Sequence, residues 1–187
     1  MGNLRAPFCF SGGWAIDLYL GRVTREHHDI DVLVMRRDHL ALHKALKQFS
    51  LKKIIPHPDG MPPNLGTIVE WHPGERLELP VHEINAYRAN ESEPAFQVML
   101  GESHDGEWIF RRNPEIRMPT ARMGFYPLWG LPYLAPEIVL LFKAKHLEAR
   151  DRIDFKNALP ALSIDARRWL RDAIERTHPG HEWINAL

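Results

Sequence analysis

The chain has 187 residues, 44% hydrophobic and 26% charged, a composition that suits one domain with room for a small helical appendage. Its 24 basic and 24 acidic residues give a formal net charge of zero, which argues against broad binding to duplex nucleic acid, since that needs a basic surface excess. The single cysteine, Cys9, excludes an intrachain disulfide and a cysteine-rich zinc site. No run approaches the roughly 18 apolar residues of a membrane span. The first motif starts too near the N-terminus to leave room for a signal peptide. The expectation is a cytoplasmic protein with neither membrane nor nucleic acid as partner.

In chain order, residues 11–34 read SGGWAIDLYLGRVTREHHDIDVLV. The Gly12-Gly13 pair opens a short helix over 14–20, and Gly21 stops it at the usual C′ position. A polar connector leads to Asp29-Ile30-Asp31 and a strand over 30–34, apolar enough for burial on both faces. Asp38 is the expected N-cap of a helix over 39–49 with Leu42, Ala45, Leu46 and Phe49 toward a core. Residues 56–66, PHPDGMPPNLG, form a proline-rich loop, a surface loop or an active-site flap. Strand signals recur at 67–71, 81–87, 96–100 and 107–111, the last two flanking a hairpin at Asp105-Gly106. Residues 113–134 look like a connector. Pro136 starts a helix whose apolar face is Ile138, Leu141 and Phe142. Asp151 is the expected cap of a helix through 159, and Ser163 of one running to about 177. The fold class is therefore α/β (α+β): a mixed sheet flanked by helices over residues 1–112, a connector over 113–134, and a small helical part over 135–187.

Alternation along a strand puts Asp29 and Asp31 on one side, roughly 7 Å apart at about 3.3 Å per residue. Two carboxylates that close repel unless a cation sits between them, and magnesium, which prefers carboxylate and phosphate oxygens, suits the pair. Gly12 and Gly13 let backbone N–H groups approach an anion at a helix N-terminus, with Ser11 adding a hydroxyl. Asp17 reads as a structural residue pairing with Arg25. His27 and His28 read as ordinary hydrogen-bonding histidines rather than zinc ligands.

The block Gly12, Gly13, Trp14, Ala15, Ile16, Asp17, Gly21, Thr24, Arg25, His27, Asp29, Ile30, Asp31 resembles the signature of the polymerase-β-like nucleotidyltransferases, and most closely its aminoglycoside and lincosamide adenylyltransferase branch. The resemblance implies the nucleotidyltransferase fold and a transferase that moves a nucleoside monophosphate, AMP from ATP, onto a hydroxyl of a small acceptor such as an antibiotic. It also implies magnesium, two ions, held by Asp29 and Asp31. The family's third carboxylate, ligand and base in one, falls here on Glu83. Glu102 is the other candidate, and Gln97 the residue that replaces an acid outright, an amide being unable to take a proton. Lys143 and Lys145, in the helical segment after the sheet, are expected at the triphosphate as point charges. Asp151 and Asp154 sit three apart and cap a helix or serve the site. Arg111 and Arg112 either hold phosphate or form a solvated edge. A polycationic acceptor would want an acidic cleft, and Glu70, Glu75, Glu78, Glu91 and Glu93 supply acids in the middle region. The alternative function is a nucleotide-binding regulatory module that kept the fold and lost turnover.

Overall fold

The computed structural model describes residues 8–57, 66–128 and 130–187. Its strands are β1 (Phe8–Phe10), β2 (Asp31–Met35), β3 (Ser50–Pro56), β4 (Gly66–Glu70), β5 (Glu83–Tyr87), β6 (Phe96–His104), β7 (Glu107–Ile109), β8 (Arg117–Pro119), β9 (Gly124–Phe125) and β10 (Tyr133–Leu134). The main sheet has the order β4-β3-β5-β6-β2-β1-β10-β9, with β7 and β8 carried on beyond the end of β6. It is mixed: β2 runs parallel to β6 and β1 parallel to β10, while the other pairs are antiparallel.

Strand β2 is central, and its alternation divides the core. Leu33 and Met35 face a layer built from α1 (Gly12–Leu20), α3 (Pro136–Lys143), α4 (Ala149–Ala158) and α5 (Ile164–Thr177), where they join Ile16, Ile138, Leu141 and Leu170. Val32 and Val34 face the other way, toward Ile84, Val98, Trp71 and Leu42 of the short helix α2 (Ala41–Ala45). A strand buried on both faces is the reason for its unbroken apolar run. No helix among the described residues is long and apolar enough to cross a membrane.

Several signals in the sequence act as expected. Gly21 takes the left-handed conformation, φ 67°, that ends α1, Pro136 starts α3, and the Ser163 hydroxyl accepts the Ala166 N–H at 3.2 Å to cap α5. Asp105 and Gly106, both at positive φ, turn β6 into β7, as the hairpin rule requires.

Other elements differ. The helix expected over 39–49 shrinks to 41–45, preceded by a 3-10 turn at Arg36–Asp38, and Asp38 is not its cap. Buried His39 explains the change: its ring bonds the Arg36 carbonyl and accepts Leu77 N–H at 3.0 Å. That tertiary tie fixes the entry, and pairing of Ser50 with Tyr87 pulls the chain into β3 at the other end. Helix α4 begins earlier than expected, with Glu148 as N-cap and Asp151 three residues on, its carboxylate accepting the Glu148 N–H at 3.1 Å. This is a capping box with an acid at each end. Strand β7 stops at Ile109, leaving Arg111 and Arg112 in a turn. The stretch read as a connector carries β8, β9 and β10, and β10 joins the main sheet. The proline-rich loop read over 56–66 lies mostly outside the described residues.

The chain end packs on α4 through an aromatic stack, the Phe155 and Trp183 rings 4.2 Å apart and 4° from parallel, with Trp183 3% exposed. Trp183→Ala should lower unfolding free energy by about 3–5 kcal/mol, the usual cost of emptying so large a buried site. Urea denaturation measures it, and a loss under about 1 kcal/mol would mean that this stack does not hold the segment down.

Candidate functional site

The polar connector between α1 and β2 is clasped to the helix by its own side chains. Asp17, 3% exposed, accepts Thr24 N–H at 3.1 Å and Thr24 O–H at 2.5 Å on one oxygen, and meets His27 Nε2 at 2.5 Å on the other. The His27 ring packs on Trp14, centroids 4.6 Å apart. Arg25 does not pair with Asp17, as the sequence suggested. Its guanidinium makes a two-pronged contact with Asp154 of α4, at 2.8 and 2.9 Å.

Asp154 is fully buried, and Lys143 at the end of α3 reaches it at 2.9 Å while also bonding Asp151 at 2.7 Å. Burial alone would push the Asp154 carboxyl up, but Arg25 and Lys143 outweigh it and hold the group below the usual range. Asp151 therefore serves the capping box and Lys143 together, and Asp154 is an internal counter-ion.

The clasp delivers the chain to the first strand residue, Asp31. Ser11 N–H donates to the Asp31 carbonyl at 2.8 Å, so the start of α1 lies against the start of β2. A side chain on Gly12 would bring its Cβ within 2.2 Å of Asp31 Oδ2, and Gly12 has φ +58°; both close approach and backbone demand glycine there. A Cβ on Gly13 would instead meet Arg25 at 2.3 Å and the His27 ring at 2.5 Å. Gly13 thus makes room for the clasp and does not line the cavity described next, unlike Gly12.

That cavity, of about 290 Å³, opens between the helical layer and the sheet. Ser11, Gly12, Asp31, Glu83, Glu102 and Lys143 are in its wall, with Arg111, Arg112 and Arg150. The sheet register explains the acids. Asp31 stands opposite Gln97, and Leu33 opposite Met99, which in turn faces Glu83. Paired residues share a face, so Asp31, Gln97 and Glu83 are on the same side of the sheet. Glu102 is committed elsewhere, gripping Arg36 with contacts of 2.6–3.0 Å.

Asp29 is placed differently. It precedes β2, is 47% exposed on its side chain, and has Arg150 Nη1 at 4.0 Å. Strand alternation therefore does not govern it. Among the described residues no three carboxylate, imidazole or thiol groups are assembled as a metal cluster. Lys145 is exposed and not part of the cavity wall. The acids of the middle region do not converge on the cavity either: Glu70 pairs with Lys52, Glu75 with Lys53 and Glu91 with Arg88.

The electrostatics single out Asp31. Burial first, then the charges of Asp29 and Glu83, raise its carboxyl from 3.8 to about 6, against the opposing pull of Lys143 and Arg150. Burial also raises Glu83, with Arg111 opposing. Asp31 Oδ1 and Ser11 Oγ are buried without a hydrogen-bond partner. Buried polar atoms are seldom left so in a settled core, and here both belong to residues that line one cavity.

The fold recurs in known proteins. The chain superposes on ANT(2")-Ia in complex with adenylyl-2"-tobramycin with a TM-score of 0.56 at 16% identity, over 92% of this chain and 89% of that one. It has the nucleotidyltransferase fold. The lincomycin-bound lincosamide antibiotic adenylyltransferase LnuA matches this fold with a TM-score of 0.52 at 20% identity, covering 83% of this chain and 87% of that one. The solution structure of ANT(2'')-Ia does so with a TM-score of 0.52 at 20% identity, covering 97% and 88%. Residues 1–58 match the family described as aminoglycoside-2''-adenylyltransferase. Among curated proteins none matches. The branch that residues 12–31 resemble is the one whose family model matches residues 1–58, and the neighbours share the fold.

Two outcomes test the nucleotidyltransferase-fold site without an activity assay. Asp31 titrates higher in the fold than free, so its stabilising contribution is complete below about pH 4 and is lost as pH rises through about 6. Without divalent cations, Asp31→Asn should exceed the wild type at pH 8 by on the order of 2–3 kcal/mol and match it near pH 3.5. Urea titrations at the two pH values decide, and equal stability at pH 8 would refute a strained carboxylate. Asp154→Ala, which strands Arg25 and leaves Lys143 with Asp151 alone, should cost about 3–5 kcal/mol, read from the same titrations; a loss under about 1 kcal/mol would remove Asp154 as the counter-ion that joins them.

Proposed function

We propose that the protein is a nucleotidyltransferase that moves AMP from ATP onto a hydroxyl of a small antibiotic-like acceptor, in the cytoplasm where ATP is supplied. The observation that carries this reading is the pair of orphaned buried atoms, Asp31 Oδ1 and Ser11 Oγ, on two residues that line one cavity at the N-terminus of a helix. The carboxylate oxygen wants a cation, and the hydroxyl wants an acceptor to donate to. A metal-bound nucleoside triphosphate supplies both.

The donors suit magnesium. Asp31 has a buried free oxygen, Glu83 shares its face of the sheet, and the charge of Asp29 already reaches Asp31; all are hard oxygen ligands. On this reading Asp29, once released from Arg150, joins Asp31 and Glu83 in holding two ions. Bound there, magnesium neutralises phosphate charge and polarises the reacting oxygens.

The chain's own groups do the rest. Ser11 and the first N–H groups of α1 receive phosphate oxygens, favoured by the helix dipole. Gly12 lets them approach. Lys143 adds positive charge, tempered by Asp151 and Asp154. Lys145 has no part in this reading. Glu83, its carboxyl raised by burial, takes the acceptor's hydroxyl proton, and a higher pKa makes it the stronger base. Neither Glu102, held by Arg36, nor Gln97, an amide, suits that role.

The test is pyrophosphate release from ATP and magnesium across a panel of aminoglycosides and lincosamides, together with calorimetric titration of ATP. Release with at least one acceptor is expected. Asp29→Asn and Asp31→Asn should abolish it, and Glu83→Gln should lower turnover about 10²–10⁴-fold while leaving ATP binding nearly intact. More than about a tenth of wild-type turnover in both aspartate variants would sink the assignment. ATP binding with no release on any acceptor would favour the regulatory module.

A further inference from the structure

Arg111 and Arg112 lie in the turn after β7, half-buried in the cavity wall. Their guanidinium carbons stand 5.7 and 5.3 Å from the centre of the same Phe142 ring, and Arg112 Nη1 donates to the Phe142 carbonyl at 3.0 Å. The other cations of the wall have carboxylate partners: Lys143 has Asp151 and Asp154, and Arg150 has Glu148 at 2.9 Å. Arg36 nearby has Glu102. Neither Arg111 nor Arg112 has a carboxylate within 4 Å among the described residues.

Two adjacent guanidiniums in a partly dehydrated wall repel each other. Burial and the neighbouring Arg111 bring Arg112 down to about 10. Burial lowers Arg111 as well, with the more distant Glu83 and Glu102 opposing and Arg36 reinforcing. Contact with one ring holds both groups in place despite the repulsion. An anion with several acceptor oxygens is the partner that such guanidinium forks match best.

We propose that Arg111 and Arg112 form a phosphate-binding subsite of the cavity, which rests on the nucleotidyltransferase reading above and deepens it. The phosphate is either the β,γ end of the nucleotide or a phosphate carried by the acceptor. Arg111 is the cation that acts on Glu83, so an occupant here lies on the side of the cavity where the acceptor's proton is taken.

The experiment is calorimetric titration of the full chain with inorganic pyrophosphate, phosphate, AMP and ATP, in buffer without divalent metal. Wild type, Arg111→Gln and Arg111→Lys are compared, each checked for folding by circular dichroism and urea midpoint. Pyrophosphate should bind the wild type and bind Arg111→Gln about tenfold more weakly, since a charge-assisted fork is lost. Arg111→Lys keeps the charge and most of the packing while losing the fork. It should weaken binding in the same direction by about threefold, and it carries the test if the glutamine variant does not fold.

If the nucleotide tail is the occupant, ATP affinity falls with that of pyrophosphate while AMP affinity holds. If the acceptor's phosphate is the occupant, ATP and AMP affinities hold, and inorganic phosphate binds ATP-saturated wild type but not Arg111→Gln. Absent pyrophosphate and phosphate binding in the wild type, or equal affinities in the wild type and a folded variant, overturns the proposal. None of these readouts needs turnover, metal or an acceptor, so the two readings fail separately.

Discussion

A single buried anion ties the site together. Asp154 has no exposed side-chain surface, and a carboxylate at that depth persists only with charge and hydrogen bonds around it. Its two cations come from far along the chain. Arg25 belongs to the connector that positions Asp31, and Lys143 ends the helix that forms one wall of the cavity. Satisfying one charge therefore sets three elements relative to each other: the connector, α3 and α4. The Asp17 contacts with Thr24 and His27 then fix the connector's path on α1. Motif residues that touch no substrate on the present reading still decide where the reacting groups lie.

Charges at the cavity fall into two groups. Those that bear the fold are matched: Arg25 with Asp154, Lys143 with Asp151, Arg36 with Glu102. Asp31, Glu83, Arg111 and Arg112 are the unmatched ones, and each departs from its ordinary pKa in the direction that burial dictates. Such residues lower the stability of the empty fold. Groups kept in that condition within one cleft mark a place built for a charged ligand. A ligand bearing both signs, cationic toward the carboxylates and anionic toward the guanidiniums, relieves both pairs at once.

Local chemistry was legible where it decides structure alone. Gly21, Pro136, Ser163 and the Asp105-Gly106 turn each act through their own backbone conformation or first-turn hydrogen bond, and each stands where the sequence placed it. Elements set by distant partners were not. Strand β1 and the two-residue strands β9 and β10 exist through pairing with one another and with β2, so no periodicity announces them. Residues 39–49 do have helical spacing, yet the His39 contacts and the start of β3 leave only one short helix. At the site, Asp31 could be found from its motif. The split between Gly12, against Asp31, and Gly13, against the clasp, needed the packing. So did Arg111 and Arg112: on a hairpin strand they would be a solvated edge, and ending that strand two residues earlier turns them into the cavity.

On the proposed function, the same charges bear on what kind of acceptor fits. A polycation is drawn to a cleft whose free charges are mainly acidic. The glutamates that might have made such a cleft, Glu70, Glu75 and Glu91, are neutralised in place by lysine or arginine. Among the acids of the cavity wall, Asp31 and Glu83 are the ones without a cation partner among the described residues, and metal binding would occupy them. With Arg111 and Arg112 beside Glu83, the field met by an acceptor that enters after the nucleotide depends on where the phosphates lie. If the triphosphate covers both arginines, its remaining charge favours a cationic or neutral acceptor. If it leaves them bare, the field favours an anionic one. On the proposed function, acceptor preference follows from how the nucleotide's phosphates are seated, through two adjacent arginines held on one phenylalanine ring.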